Sequence, residues 1–325
     1  RMSKAIFVTR EIPSVGIHML KEKGYTVDIY PKDAPISQKE LIKYLKKKPY
    51  DAVLSLLTDQ IDAKVFESAP SVKIYANYAT GYDNIAVAEA TKRGITITNA
   101  PAPLSSEAVA EHTFALMLSL AARIVEADES VRRGKFKGWA PMHFIGTDLL
   151  GKTLGLIGAG RIGERVAFYA KGFGMKILYT DVKRNEQIEK ECGATFYATS
   201  DELLPHADIV SLHVPLLDST HHLINENRLR LMKPTGLLVN TSRGPVIDEK
   251  ALEKALKEKR IGGAALDVFE FEPKTVPGLV KLQNIVLTPH IASASVDARN
   301  QMAEMTAQNI IDFLDGKTPK NSVTA

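Results

Sequence analysis

Six residues, Gly158-Ala159-Gly160-Arg161-Ile162-Gly163, follow the pattern G-x-G-x-x-G. In such a turn the first glycine permits the tight bend and the second lets a pyrophosphate approach the backbone. The third packs helix against strand. The flanks agree, since 153–157 reads as a strand and 161–171 as a helix whose N-terminal amides would face a diphosphate. The next strand ends at Asp181, 18 residues past Gly163. A carboxylate there accepts the ribose hydroxyls of a dinucleotide and repels a 2′-phosphate, which favours NAD over NADP. Lys183 and Arg184 follow closely and offer charge to a phosphate, but the acid holds the strand-end position.

Three more polar residues each stand just past a separate apolar run. Arg243 lies in NTSRG at 240–244, Glu272 in DVFEFEP at 267–273, and His290 in TPH at 288–290. Singly, each has a plain reading: a surface ion pair, a turn residue, a satisfied core histidine. Together, at one sheet edge, they supply what hydride transfer to a 2-oxo acid needs. An arginine fork binds a carboxylate and polarises a carbonyl, and an imidazole hands over a proton. A carboxylate partner favours the charged form of that imidazole. The other histidines read differently: His221-His222 as a solvated loop pair, His18 and His206 as residues in polar surroundings. No His/Cys spacing of the zinc type occurs, so no metal is expected.

Alternating elements must hold these residues. Strands are expected at 5–9, 27–30, 52–56, 73–75 and 95–98, with helical stretches at 14–23, 38–47, 63–68 and 84–93. A second series places strands at 153–157, 176–179, 209–212, 237–240, 264–266 and 285–287. Such alternation implies parallel strands joined by crossover helices. Residues 106–132 contain no proline or glycine and read as one long helix. The stretch 134–151 (GKFKGWAPMHFIGTDLLG) reads as a loop excursion. A last helix at 295–315 is capped by Ser295, suited by Asp297 in its first turn, and stopped by Gly316 and Pro319.

The composition leaves room for this reading. At about 150 residues per domain, 325 residues make roughly two domains, and 45% apolar with 25% charged residues is a globular balance. No apolar run approaches a membrane span, and no secretory signal is expected. Arg1 before Met2 reads as an added residue. A single cysteine, Cys192, forms no internal disulfide and fits a cytoplasmic location. The net charge of +4 is small, and the densest run, Lys46-Lys47-Lys48, reads as a solvated helix end. No nucleic-acid or membrane partner is indicated.

Over nearly its whole length the chain resembles the D-isomer-specific 2-hydroxyacid dehydrogenases, and within them the glyoxylate/hydroxypyruvate reductases. The resemblance is carried by NYATGYDNI at 77–85, SEAVAEH at 106–112, GAGRIG at 158–163, HVP at 213–215, NTSRG, DVFEFEP and TPHI at 288–291. It implies an α/β fold of two doubly wound parallel-sheet domains. A Rossmann-type NAD domain (102–291) is inserted into a flavodoxin-like substrate domain (1–101 and 292–325). It implies NAD(P)H-dependent reduction of a small 2-oxo acid, with Arg243 binding substrate, His290 as general acid/base and Glu272 as its partner. Leu57, Thr80 and Gly81 are assigned to substrate. Val109, Arg161, Ile162, Asp181, His213, Val214, Pro215, Thr241, Ser242, Asp267 and Ser293 are assigned to cofactor, with Arg243 and His290 beside it, and Asp267 is expected to touch the nicotinamide carboxamide. A homodimer through the 134–151 excursion is implied too. Where these reductases usually carry a second tryptophan, this chain keeps Trp139 but has His143. That departure leaves open a D-lactate-type or bulkier substrate. A corepressor-like NAD sensor shares the fold but would need an extension of a kind not seen here.

Overall fold

The computed structural model describes residues 3–324; Arg1, Met2 and Ala325, and with them the reading of Arg1 as an added residue, lie outside the described residues. Two units divide the chain, one of residues up to 105 together with those from 294, the other of residues 106–293.

In the first unit β1 (Ala5–Val8), β2 (Thr26–Ile29), β3 (Ala52–Leu56), β4 (Ile74–Tyr78) and β5 (Thr96–Thr98) lie parallel in the order β5-β4-β3-β1-β2. Ser322–Val323 adds antiparallel to β5. The 2-1-3-4-5 order is that of flavodoxin-like sheets. Such strands are apolar without interruption because helices cover both faces, and β1 and β4 are buried at every residue. Alternation sends Phe7, Val53 and Tyr75 into one core and Ile6, Leu54 and Ile74 into the other. The helix Val296–Leu314 closes the second core. Its Ala303 carbonyl oxygen lies 2.7 Å from where a Cβ on Gly16 would stand, so the helix Ser14–Glu22 needs glycine at that crossing. Ser295 caps the long helix, accepting from the Ala298 N–H at 3.2 Å, and Gly316 at φ +79° ends it, as its sequence predicts.

The second unit is a seven-stranded parallel sheet. It comprises β6 (Thr153–Ile157), β7 (Lys176–Thr180), β8 (Thr195–Phe196), β9 (Ile209–Leu212), β10 (Leu237–Asn240), β11 (Gly263–Leu266) and β12 (Ile285–Leu287). The order is β12-β11-β10-β9-β6-β7-β8. Strand order reverses between β6 and β9, the position where doubly wound sheets open a ligand crevice beyond their carboxyl ends. The glycine turn follows β6, His213 follows β9, Arg243 follows β10, Asp267 follows β11 and Thr288 follows β12. One edge of one sheet therefore carries the glycine turn, Arg243 and the loops that bear Glu272 and His290.

The single helix expected over 106–132 is two, Pro103–Ala121 and Ile124–Arg132, meeting at 65°. The cause lies in the excursion. The Thr147 N–H takes the Ala121 carbonyl at 2.9 Å, the acceptor a continuing helix would need. Gly146 passes so close that a Cβ would sit 2.1 Å from that oxygen. Arg123 then turns left-handed at φ +57°, and its guanidinium binds Glu126 at 2.6 Å. Two strands escaped the sequence reading, β8 and Ser322–Val323, each only two residues long. No single described helix is long and apolar enough to cross a membrane.

Candidate active site

The glycine turn divides its labour as its spacing predicts. Gly158 has φ +94°, and a Cβ on it would lie 2.4 Å from the His213 carbonyl oxygen; one on Gly163 would lie 2.2 Å from the Gly158 oxygen. Both are glycine because backbone passes too close for anything larger. Gly160 differs: a Cβ there meets nothing within 4 Å, and the residue is exposed at the N-terminus of the helix Arg161–Gly172. Free amides, a positive dipole end and open space fit a diphosphate. Asp181, ending its strand, accepts from the Ala159 N–H at 2.7 Å and the Val182 N–H at 2.6 Å. These bonds fix the carboxylate against the turn and leave lone pairs for a ribose diol. Lys183 is exposed, while Arg184 is held by both oxygens of Glu189 at 3.0 Å each. The residues present fit a dinucleotide.

The other residues assigned to cofactor occupy the same edge of the sheet. Arg161 and Pro215 are exposed, and Ile162, Val214, Ser242 and Ser293 are half-buried. Desolvation pushes the His213 imidazole down to about 3, so it is neutral, with Nε2 2.8 Å from the Ser211 hydroxyl. Thr241 and Val109 are buried and joined through Thr113, whose hydroxyl donates to the Val109 carbonyl at 2.8 Å and meets that of Thr241 at 2.9 Å. The Thr241 hydroxyl is therefore the donor in that second bond.

The catalytic candidates come together on two loops. His290 Nδ1 lies 2.9 Å from Glu272 Oε2, and Glu272 Oε1 accepts the Phe269 N–H at 3.0 Å. Burial alone would push the Glu272 carboxyl up. The His290 bond and charge, the Phe269 amide and the charge of Arg243 outweigh it, and the group stays below the usual carboxylate range. An ionised Glu272 can only accept, so Nδ1 carries the proton and Nε2 is the atom left for a reacting oxygen. Arg243 is extended at φ −141°, with Nη1 2.9 Å from the Ser242 carbonyl. Asn240 shapes that turn, accepting from Ser242 N–H and Oγ–H at 3.0 and 2.8 Å and donating to the Arg243 carbonyl at 2.9 Å.

Asp267 is held from several sides. Its side chain is fully buried. Oδ1 accepts the Thr288 hydroxyl at 2.6 Å and the Ile291 N–H at 2.9 Å, and Oδ2 accepts the Ala292 N–H at 2.9 Å. Its backbone carbonyl takes the His290 N–H at 2.8 Å. Burial raises this carboxyl, yet the bonds from His112, Thr288, Ile291 and Ala292 hold it below the usual range. Asp267 thus folds the 288–292 turn. His112, Asn240 and Thr288 were missed as positioning residues. His112 Nε2 sits 3.0 Å from the Thr288 hydroxyl, whose hydrogen goes to Asp267, so His112 is the donor. A histidine on the apolar helix Pro103–Ala121 and an asparagine ending a buried strand were the available signals.

Leu57, Thr80 and Gly81 lie in the first unit, after the carboxyl ends of β3 and β4. Leu57 and Thr80 are exposed. Asn77 donates to the Gly81 carbonyl at 3.1 Å and to Asn84 at 3.0 Å, Asn84 donates to Leu56 and Asp59 carbonyls, and Asn99 donates to the Thr80 carbonyl at 2.7 Å. Three asparagines therefore fix the loop through its carbonyls. The His221-His222 pair is also not simply solvated: His222 Nε2 lies 2.5 Å from Glu270.

Residues 114–292 match the family model described as D-isomer specific 2-hydroxyacid dehydrogenase, NAD binding domain. The chain is similar to the glyoxylate reductase of Korarchaeum cryptofilum, 53% identical over 326 residues covering 99% of this chain and 96% of that protein. Among solved structures it is similar to a D-lactate dehydrogenase from Aquifex aeolicus complexed with NAD and lactic acid. That likeness has 32% identity, a TM-score of 0.86 and 99% coverage of both chains. It is similar, too, to an NADPH-dependent glyoxylate/hydroxypyruvate reductase from Sinorhizobium meliloti in complex with NADP and malonate. Identity there is 29% and the TM-score 0.85, over 98% of this chain and 96% of that one. Glycine turn, histidine–glutamate pair, strand order and whole-length identity agree, and the chain belongs to the D-isomer-specific 2-hydroxyacid dehydrogenase family.

Proposed function

We propose that this member of a family of NAD(P)-dependent oxidoreductases reduces a small 2-oxo acid, of the glyoxylate or hydroxypyruvate kind, to the D-2-hydroxy acid. The observation that carries the proposal is the 2.9 Å His290–Glu272 pair, with the Arg243 charge acting on the same carboxylate. Whole-length identity to a glyoxylate reductase supports the substrate class. The bound nicotinamide supplies the hydride. Arg243 binds the carboxylate and draws charge from the carbonyl oxygen. His290, its Nδ1 held by Glu272, presents Nε2 to that oxygen and delivers the proton. Glu272 stabilises the imidazolium that makes the delivery. The same reading keeps a substrate-binding role for Leu57, Thr80 and Gly81.

NADH is the proposed reductant. Asp181 supports this by facing the turn as a fixed carboxylate, and Arg184 supports it by being tied to Glu189. A homodimer is proposed through the excursion, where Phe136, Met142, Ile145 and Leu150 are exposed and Trp139 is 87% exposed. Single exposed apolar residues need no explanation, but five within one excursion support a contact surface. A cytoplasmic location goes with this reading, supported by the lone Cys192.

Steady-state kinetics on glyoxylate, hydroxypyruvate, pyruvate and phenylpyruvate test the substrate class. The highest kcat/KM is expected for one of the first two, and turnover of phenylpyruvate alone would refute it. His290→Gln should lower kcat by ~10²–10⁴, the usual share of a general acid; near-normal turnover would remove His290 from its role. Asp181→Ser should move the NADH/NADPH preference toward NADPH, and an unchanged ratio would mean that no ribose contact is made. Light scattering should give twice the mass of one chain, reduced to one by Trp139→Asp. A parent protein of single-chain mass would end the dimer proposal.

A further inference from the structure

Away from the residues proposed for hydride transfer, two segments 48 residues apart meet at a cluster of nitrogen and oxygen donors. His222 Nε2 and Glu270 Oε1 are 2.5 Å apart, and one ligand atom from each of His221, His222 and Glu270 lies within 4.8 Å of the others. The two imidazoles stack with centroids 4.1 Å apart and planes 25° apart. His222 is held at φ +50°, a left-handed value uncommon outside glycine and asparagine. Its N–H is bound to the Pro245 carbonyl and that of His221 to the Leu217 carbonyl, so both rings project from a fixed backbone.

Glu270 is equally constrained. Its Oε2 accepts the Glu249 N–H at 3.0 Å, while the Glu249 carboxylate takes the Glu270 and Val276 N–H groups at 2.7 Å each. Only Oε1 remains directed at the histidines. Side chains oriented by further hydrogen bonds in this way are what metal ligands require. Donors around a tetrahedral ion stand about 3.3 Å apart, for bonds of about 2.0–2.2 Å. To reach that spacing the exposed His221 ring turns out of the stack and the His222–Glu270 bond opens.

The geometry points to a divalent transition-metal site formed by His221, His222 and Glu270, with a fourth position left for water. Two imidazoles and one carboxylate select zinc, cobalt, nickel or copper ions over magnesium or calcium. A bound ion would tether the loop after β9 to the loop that carries Asp267 and Glu272. The zinc-type spacing sought in the sequence is absent because two ligands are adjacent and the third comes from a distant segment. Nothing in this assignment depends on the substrate or cofactor proposed above.

The test uses the full chain, stripped with a chelator, dialysed, and titrated with Co²⁺ and then Zn²⁺. One Co²⁺ per chain is expected, with a tetrahedral visible spectrum that Zn²⁺ abolishes, and Zn²⁺ should raise the melting temperature. His221→Ala, which alters an exposed side chain and leaves the fold intact, should weaken Zn²⁺ binding at least tenfold and remove the thermal shift. Glu270→Gln, which keeps an acceptor for Glu249, should do the same, and His18→Ala should bind as the parent does. No stoichiometric binding by the parent, or equal binding by His221→Ala, would overturn the proposal and leave the cluster an ion pair.

Discussion

The carboxylate of Asp267 is the interaction on which the second unit's chemistry rests. It sits directly after β11, beside β12 in register Leu266 to Leu287, so its oxygens lie where the next loop must turn. Three groups of the 288–292 segment donate to it, and its own carbonyl takes the His290 amide. Those bonds hold His290 at φ +55°, a conformation costing of order 1–3 kcal/mol in isolation. The same loop, five residues on, supplies Glu272 to the ring so placed. A hydrogen bond to a charged group contributes about 1.5–3 kcal/mol, so several of them offset both the strain and the burial. Because the Asp267 carboxyl is depressed, its stabilisation is present above the ordinary carboxylate range and is lost as pH falls through the depressed value.

Arg243 joins this arrangement from the other side. Its strand, β10, pairs with β11, and Gly244 lies so close to the Phe269–Glu270 backbone that a Cβ would stand 1.9 Å from the Phe269 carbonyl. A side chain there would push apart the two loops bearing Arg243 and Glu272. The glycine turn repeats the logic two strands away, with Gly158 and Gly163 yielding room to backbone and Gly160 facing open space. Parallel strands bring all of these loops to one edge, which is why residues from 158 to 290 stand in one place. The weak net charge of the chain matters less than where single charges are held.

Much of this was legible in the sequence. Most of the parallel strands are buried apolar runs, and eleven strands were found, among them the partly exposed β2 with its Asp28. The placement of Arg243, Glu272 and His290 could be read because each follows such a run, and the glycine motif because Gly158 and Gly163 answer a local demand. What escaped depends on distant partners. The break near Arg123 is made by Gly146 and Thr147, which no window on the helix contains. The burial of Asp267 and the help of His112 arise only when 112, 267 and 288 meet. His222 and Glu270 pair across two loops, which sequence spacing does not report.

Asp267 places His290 against Glu272. Nitrogen-15 NMR of the histidine rings tests it directly, with the His290 signal assigned by its loss in a His290 variant. A strongly deshielded Nδ1 proton is predicted in the parent, as expected for an imidazole bound to a carboxylate. In Asp267→Asn that resonance should vanish or shift upfield, with far-ultraviolet circular dichroism unchanged. If the deshielded proton persists unaltered in Asp267→Asn, the turn is held by other means and Asp267 does not position the imidazole.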